Sequence, residues 1–366
     1  MDGLDNVVVT ETVLSDVDGE NGRLIIKGHS LEELAGRTRY EDVAYLLLDG
    51  LFDDLPPQGQ FRRRLGEARA LAFLEVAALD PAQARRPPVD AVRALIARLS
   101  DGDTLDVALR LLAAPAVFTG AVVRACQGLP PIAPDPALGH AADALRMLSG
   151  EAASSAQAAG LDTYLVTVID HGLNASTFAA RVAASTRAGL ASAVLAGLSA
   201  LKGPLDGGAP GPVIEMLDAI GTADRAPAWL GASLDRGERL MGFGHRIYRV
   251  RDPRADALKR AVRELAAASA TLPGRLALAE AVEVQALELL RRRKPGRRLE
   301  TNVEFYTAVL LEALGFPHDA FTCVFAMGRT AGWIAHAREQ MLSGRLIRPL
   351  SRYVGPAPRA RLIAVS

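Results

Sequence analysis

The sequence predicts an almost wholly α-helical protein that opens with one short β-hairpin. Hydrophobic residues make up 49% of the chain and aromatics only 5%. The core must then be mostly Ala, Leu and Val, a composition that suits closely packed helices. Persuasive strand signals are confined to residues 7–28. There VVVTETVLS and RLIIKG flank the turn-forming DVDGENG and read as a hairpin. With 366 residues, the chain has room for two domains or for one large domain with an insertion.

The elements follow in order. Asp16, Asp18 and Gly19 have the opening spacing of a calcium loop, but the later acidic ligands are absent and a plain turn is expected. His29 reads as a structural turn residue. From Ser30 to Gln127 the pattern is helical. Ser30 can cap a helix with Glu32 and Glu33 in its first turn. Pro87 and Pro88 open a helix with Val89, Val92, Ile96 and Leu99 on one face. Thr104 can cap LDVALRLLAAPAVFTGAVVRA, where Pro115 should kink or break the helix. Pro130 to Pro136 is a connection and not a domain boundary. Asn174 can cap an Ala-rich helix. Ala188 to Leu201, the longest uncharged apolar run, reads as a buried helix too short to span a bilayer. The glycines and prolines of Leu201 to Met216 mark a bend and a hinge. Ala281 to Lys294 reads as a charged amphipathic helix. The run RRRKPGRR that ends it suits a solvated helix end or a contact with coenzyme phosphates.

Composition excludes several function classes. Lys plus Arg equals Asp plus Glu at 42 each, so the net charge of zero gives no overall pull toward nucleic acid or anionic membrane. An anion site must be local. Two cysteines, Cys126 and Cys323, rule out a disulfide framework or a cysteine metal cluster. One bridge is possible, and two reduced core thiols are the expectation for a cytosolic protein. The N-terminus MDGLDNVVV lacks the basic and apolar regions of a signal peptide, so a cytoplasmic location is expected.

The chemistry centres on Met241 to Lys259, MGFGHRIYRVRDPRADALK. Gly242 and Gly244 permit backbone conformations that a Cβ would block, placing His245 on a tight loop. Asp252 and Pro253 suit the start of a helix whose Leu258, Val262 and Leu265 form one apolar face. Arg254 lies on its first turn. His245 and Arg254 can therefore converge on one anion, a titratable donor beside a bidentate carboxylate clamp. Residue by residue, the same stretch also reads as a glycine turn with a solvated basic helix start. His171, just before a helix start, suits either an anion contact or a bond to local backbone.

As a whole string, G-F-G-H-R-I-Y-x-x-x-D-P-R closely resembles the signature of the citrate synthase family, which includes 2-methylcitrate synthases. Further segments occur in the family's order: SDVDGENGRLIIKGHSLEELA, DHGLNAST, KGPLDGGA, TNVEFYT, FAMGRT and RLIRPLSRYVGP. The resemblance spans Val7 to Pro356 and is weakest over residues 51–150. It implies an all-α, two-domain fold: a large domain of residues 1–206 and 310–366, a small one of 207–309, and a site in the crevice between them. It also implies condensation of acetyl-CoA or a related acyl-CoA with oxaloacetate to give citrate and CoA, a tricarboxylic acid cycle step, with no bound cofactor.

By the same resemblance, His171, Asn174, Arg254, Arg329 and Arg348 bind oxaloacetate, Arg348 reaching in from the partner of a homodimer. Arg249 contacts CoA, and His245 donates to the ketone oxygen. Two catalytic positions depart from the family. Glu304 replaces the Asp that removes the methyl proton, a task glutamate can perform. Asp206 replaces the His that holds the enol, and an ionised carboxylate accepts hydrogen bonds but cannot donate them. Two function classes therefore stand: a condensing acyltransferase, or a non-catalytic relative that binds a dicarboxylate or pairs with an active homologue. His245 and Glu304 favour the first and Asp206 the second.

Overall fold

Residues 15–30 build the sheet of the protein, and their pattern explains its shape. In the computed structural model, which describes residues 4, 7–80, 82, 86–204, 211–244, 247–248, 250–269 and 272–356, β1 (Ser15–Asp18) pairs antiparallel with β2 (Arg23–Ile26), and β2 with the two-residue β3 (His29–Ser30). Asp18 closes the turn by accepting from the Asn21 backbone and side-chain nitrogens at 3.0 and 2.8 Å. This is the plain turn expected. Two expectations are corrected. VVVTETV is not strand: Val8 and Val13 are exposed, and pairing begins only at Ser15, where Ile26 lies opposite. His29 belongs to β3, held by its pairing with Ile26, and not to a turn.

The rest is helical: α1 (Leu31–Leu34), α2 (Tyr40–Leu48), α3 (Gln58–Phe73), α4 (Pro88–Ile96), α5 (Leu105–Cys126), α6 (His140–Ser149), α7 (Ser155–Val168), α8 (Ala175–Ser185), α9 (Leu190–Leu201), α10 (Gly211–Ile220), α11 (Ala226–Asp235), α12 (Pro253–Ala267), α13 (Leu272–Arg293), α14 (Val303–Ala313) and α15 (Phe321–Ser343). The caps read from sequence form. Ser30 and Glu33 make a reciprocal capping box, Thr104 accepts from Val107, Asn174 from Thr177, and Asp252 from Arg254. Each such cap satisfies an amide that the helix itself leaves without a partner.

Two helices organise the core. α5 packs on α3, α4, α6, α9 and α15, and α15 on α2, α5, α7, α8 and α9. α12 joins this body to the remainder, packing on α7 as well as on α13 and α14. Pro115 does not break α5, which runs unbroken from Leu105 to Cys126. Its flanks are buried on every side, and that packing outweighs the roughly 3 kcal/mol an internal proline costs. α5 is also long and apolar enough to cross a membrane, but 83% of its apolar window is buried within the protein. α13 begins at Leu272, nine residues before the charged pattern that announced it at Ala281. Cys323 is buried, whereas Cys126 is exposed and so is not a core thiol; neither forms a disulfide.

A buried carboxylate fixes the helices that lead to the site. Glu283 of α13 is 2% exposed. It accepts from Lys259 Nζ at 2.7 Å, Tyr306 Oη at 2.6 Å and Thr301 Oγ1 at 2.7 Å, and pairs with Arg251 at 3.0 Å. One side chain thus ties α13 to α12, to α14 and to the segment before each. Burial pushes its carboxyl up, but Lys259, Tyr306 and Thr301 outweigh this and hold it at about 2. Glu283→Gln should lower the unfolding free energy at pH 7 by about 3–5 kcal/mol, the cost of removing one partner from a buried pair. A folded-state pKa below the unfolded one stabilises above the unfolded value and stops doing so as pH falls through the folded one. The difference between wild type and variant should therefore be complete at pH 6 and shrink between pH 4.5 and about 2. Urea melts that superimpose at pH 7 would contradict this role.

Candidate active site

The glycine loop and the start of α14 are built against each other. Gly242 and Gly244 have φ of +84° and +82°, a region that favours glycine. A Cβ on Gly242 would lie 2.7 Å from the Phe305 ring, and one on Gly244 2.8 Å from Leu299. Gly244 N donates to Glu300 O at 2.7 Å, Asn302 N to Gly242 O at 3.0 Å, and Asn302 Nδ2 to Gly244 O at 2.8 Å. Asn302 also caps α14 by accepting from Glu304 N at 3.0 Å. The loop that leads to position 245 is thereby clamped beside the helix turn that carries Glu304. Glu304 is half-buried, not the ordinary surface glutamate that a helix start would suggest.

Asp252 connects the next two pieces. Its Oδ1 accepts from Arg254 N and Nε, both at 3.0 Å, and its Oδ2 accepts from Arg254 Nη2 at 2.8 Å and from Val303 N at 3.2 Å. One carboxylate caps α12, orients the Arg254 guanidinium and holds the first residue of α14. Arg254 is 3% exposed, which corrects the solvated reading of this helix start. Burial works against its charge, but Asp252 outweighs that and raises its pKa above the ordinary value. The Arg254 guanidinium lies 5.7 Å from the centroid of the Tyr248 ring. Tyr248 in turn places its hydroxyl 3.1 Å from His171 Nε2, the two rings edge to face at 5.6 Å. Burial pushes the Tyr248 phenol up, so it keeps its proton.

His171 sits on a short turn between α7 and α8, fixed from behind by a buried polar chain. Asp170 pairs with His336 Nε2 of α15 at 3.2 Å, and His336 Nδ1 receives Arg181 Nε at 3.0 Å. Arg181 continues to Gln340 at 3.0 Å and to Glu339. With Arg181 donating to Nδ1, the His336 proton belongs on Nε2, facing Asp170. Burial pushes the Asp170 carboxyl up, but His336 outweighs it and the net shift is downward. The Gly172 amide donates to Ser15 Oγ at 3.1 Å, so β1 also braces this turn. Arg329 is 2% exposed, donates Nε to the Val168 carbonyl at the end of α7 at 2.6 Å, and stacks 4.9 Å over Phe325.

His171, Arg254, Arg329 and Glu304 thus come together where α7, α12, α14 and α15 meet. Asn174 lies beside them, its side chain engaged by Thr177 N, Ser176 Oγ and the His171 and Gly172 carbonyls. It holds the turn that presents His171. Arg348 does not join the group: it is exposed on the extended segment after α15. Asp206, His245 and Arg249 lie outside the described residues. Sequence reasoning missed Tyr248, the second task of Asp252, and the Asp170–His336–Arg181 chain. Tyr248 and Asp252 both stand in the quoted motif. Nothing in the local sequence links Asp170 to His336, which are 166 residues apart.

Chemically, the cluster offers two buried guanidinium forks, an imidazole and one carboxylate. Forks of this kind suit planar carboxylates, and a half-buried glutamate among cations can accept a proton. Next to the glycine loop, a cavity of about 360 Å³ has Leu240, Phe243 and Leu299 on its apolar side and Arg239, Lys294 and Arg297 on its basic side. Among the described residues, no group of three or more His, Cys, Asp or Glu could hold a metal ion.

A model of the citrate synthase C-terminal domain matches residues 3–350. The chain is 38% identical to a citrate synthase of Haloferax volcanii over 96% of its own length and 95% of the relative's. It is 35% identical to a 2-methylcitrate synthase of Mycobacterium tuberculosis over 98% and 91%. It superimposes with a TM-score of 0.86, at 29% identity and over 99% and 98% of the two chains, on citrate synthase of Thermoplasma acidophilum solved as a ternary complex with carboxymethyl coenzyme A and oxaloacetate. The segments that carry His171, Arg254, Glu304 and Arg329 are among those whose order resembled that family, and the chain belongs to the citrate synthase family.

Proposed function

We propose that this protein is a condensing acyltransferase that joins acetyl-CoA, or a related acyl-CoA, to oxaloacetate to give citrate or its homologue and CoA. The observation that carries this reading is the meeting of buried His171, Arg254 and Arg329 with half-buried Glu304. Arg254 and Arg329 bind the oxaloacetate carboxylates. Glu304 removes a proton from the carbon next to the thioester, and His245 donates to the ketone oxygen as the new carbon–carbon bond forms. Water then hydrolyses the citryl thioester, releasing CoA. The cavity beside Phe243, with Arg239, Lys294 and Arg297, suits the phosphates of CoA, with Arg249 a further contact. None of the relatives named above carries a non-catalytic description, so the condensing reading is preferred to a dicarboxylate-binding relative.

The proposal extends to assembly and place. Residues 1–206 with 310–366 form a large domain and 207–309 a small one, and α14 runs through their boundary as a continuous rod. Closure about this seam encloses oxaloacetate. Two copies pair as a homodimer that brings Arg348 of each into the other's site, in the cytoplasm. Light scattering should give twice the 38.7 kDa chain mass. A monomer at micromolar concentration that still binds oxaloacetate would contradict the dimer.

Turnover is tested by thiol release. Wild-type protein should liberate CoA from acetyl-CoA or propionyl-CoA only when oxaloacetate is present. Asp206→His should raise kcat, because a donor aimed at a developing oxyanion is typically worth ~10²–10³ in rate. A protein in which neither wild type nor Asp206→His releases thiol above background is not a condensing enzyme.

A further inference from the structure

Tyr164 is wholly buried, and its hydroxyl has no hydrogen-bond partner among the described residues. A buried hydroxyl of this kind costs stability, because the bond it makes to water in the unfolded chain is not replaced. Its placement is specific. Gly160, Tyr164 and Val168 recur every fourth residue and share one face of α7. Gly160 lies against Leu310 of α14 and Leu314 just beyond its end, and the Val168 carbonyl receives Arg329. Tyr164 therefore stands between the helix of Glu304 and the guanidinium of Arg329. Glu304, Arg329 and Arg254 are its electrostatic neighbours, and burial followed by Glu304 pushes the phenol well above its ordinary range. It is a neutral donor at every working pH.

We propose that Tyr164 is a substrate-binding residue whose hydroxyl donates to an oxygen of the bound keto-dicarboxylate, beside Arg254 and Arg329. This rests on the oxaloacetate site proposed above. A phenol fixed on a helix and lacking a hydrogen-bond partner among the described residues is preorganised for that bond. The two arginines neutralise the carboxylates, and the neutral donor adds directional recognition without adding charge.

Tyr164→Phe removes one oxygen and keeps the packing. Two readings of the full-length variant test the proposal. Without ligand, its Tm should rise by ~1–3 °C, since an unpartnered buried hydroxyl is gone. By calorimetry, its affinity for oxaloacetate should fall ~10-fold or more. A lower Tm would show that the hydroxyl is already partnered in the free protein and would overturn the proposal. Oxaloacetate affinity equal to wild type would overturn it too; an accompanying shift of the acid limb of the pH–rate profile would place the donor on Glu304 instead. A wild type that binds no oxaloacetate overturns the site and this inference together, whereas wild-type binding that Tyr164→Phe leaves unchanged overturns this inference alone.

Discussion

A single carboxylate, Asp252, sets the geometry on which the rest of the site depends. It caps α12, grips Arg254 in a bidentate pair and accepts the first amide of α14. Burying an arginine is expensive unless a charge meets it with good geometry, and the pair in turn makes its own removal costly. The consequence is a fixed relation between a cation and a carboxylate on different helices: Arg254 at the start of α12 and Glu304 at the start of α14. Other contacts reinforce it. The glycine loop pairs with residues 300–302 from one side, and Glu283 holds α12, α13 and α14 together from another.

The opposite wall is built on a different principle. His171 and Arg329 come from the α7–α8 turn and from α15, and their supports are buried hydrogen bonds rather than one pair. The Asp170–His336–Arg181 chain reaches to Glu339 and Gln340 near the end of α15. Buried polar chains of this kind specify one arrangement when every member is satisfied. Tyr248 spans the two walls, near Arg254 on one side and bonded to His171 on the other. A movement that separates the walls must break that contact.

How much of this was legible in the sequence depends on the range of each interaction. Local signals read well. Ser30, Thr104, Asn174 and Asp252 cap the helices they precede. Gly242 and Gly244 adopt the backbone their residue type allows. Local signals failed where tertiary packing outweighs propensity. Val7 to Val13 is β-rich but pairs with no strand among the described residues, and Pro115 sits in a helix that its neighbours hold together. Burial was the main thing missed. Arg254 looks solvated in sequence, yet it is nearly inaccessible because Asp252 meets it. The family resemblance named His171, Arg254, Arg329 and Glu304, which the fold brings together. It could not show Tyr248 or His336 at work, because their contacts join segments far apart in the chain.

The central claim is that these helices meet to hold a dicarboxylate beside a proton acceptor. A crystal structure of the protein with oxaloacetate and carboxymethyl coenzyme A tests it most directly. Oxaloacetate carboxylates should lie within hydrogen-bond distance of Arg254 and Arg329, with the Glu304 carboxylate facing the carbon next to the sulfur. Oxaloacetate bound elsewhere, for example among Arg239, Lys294 and Arg297, with Arg254 and Arg329 making only the contacts they make without ligand, would contradict it.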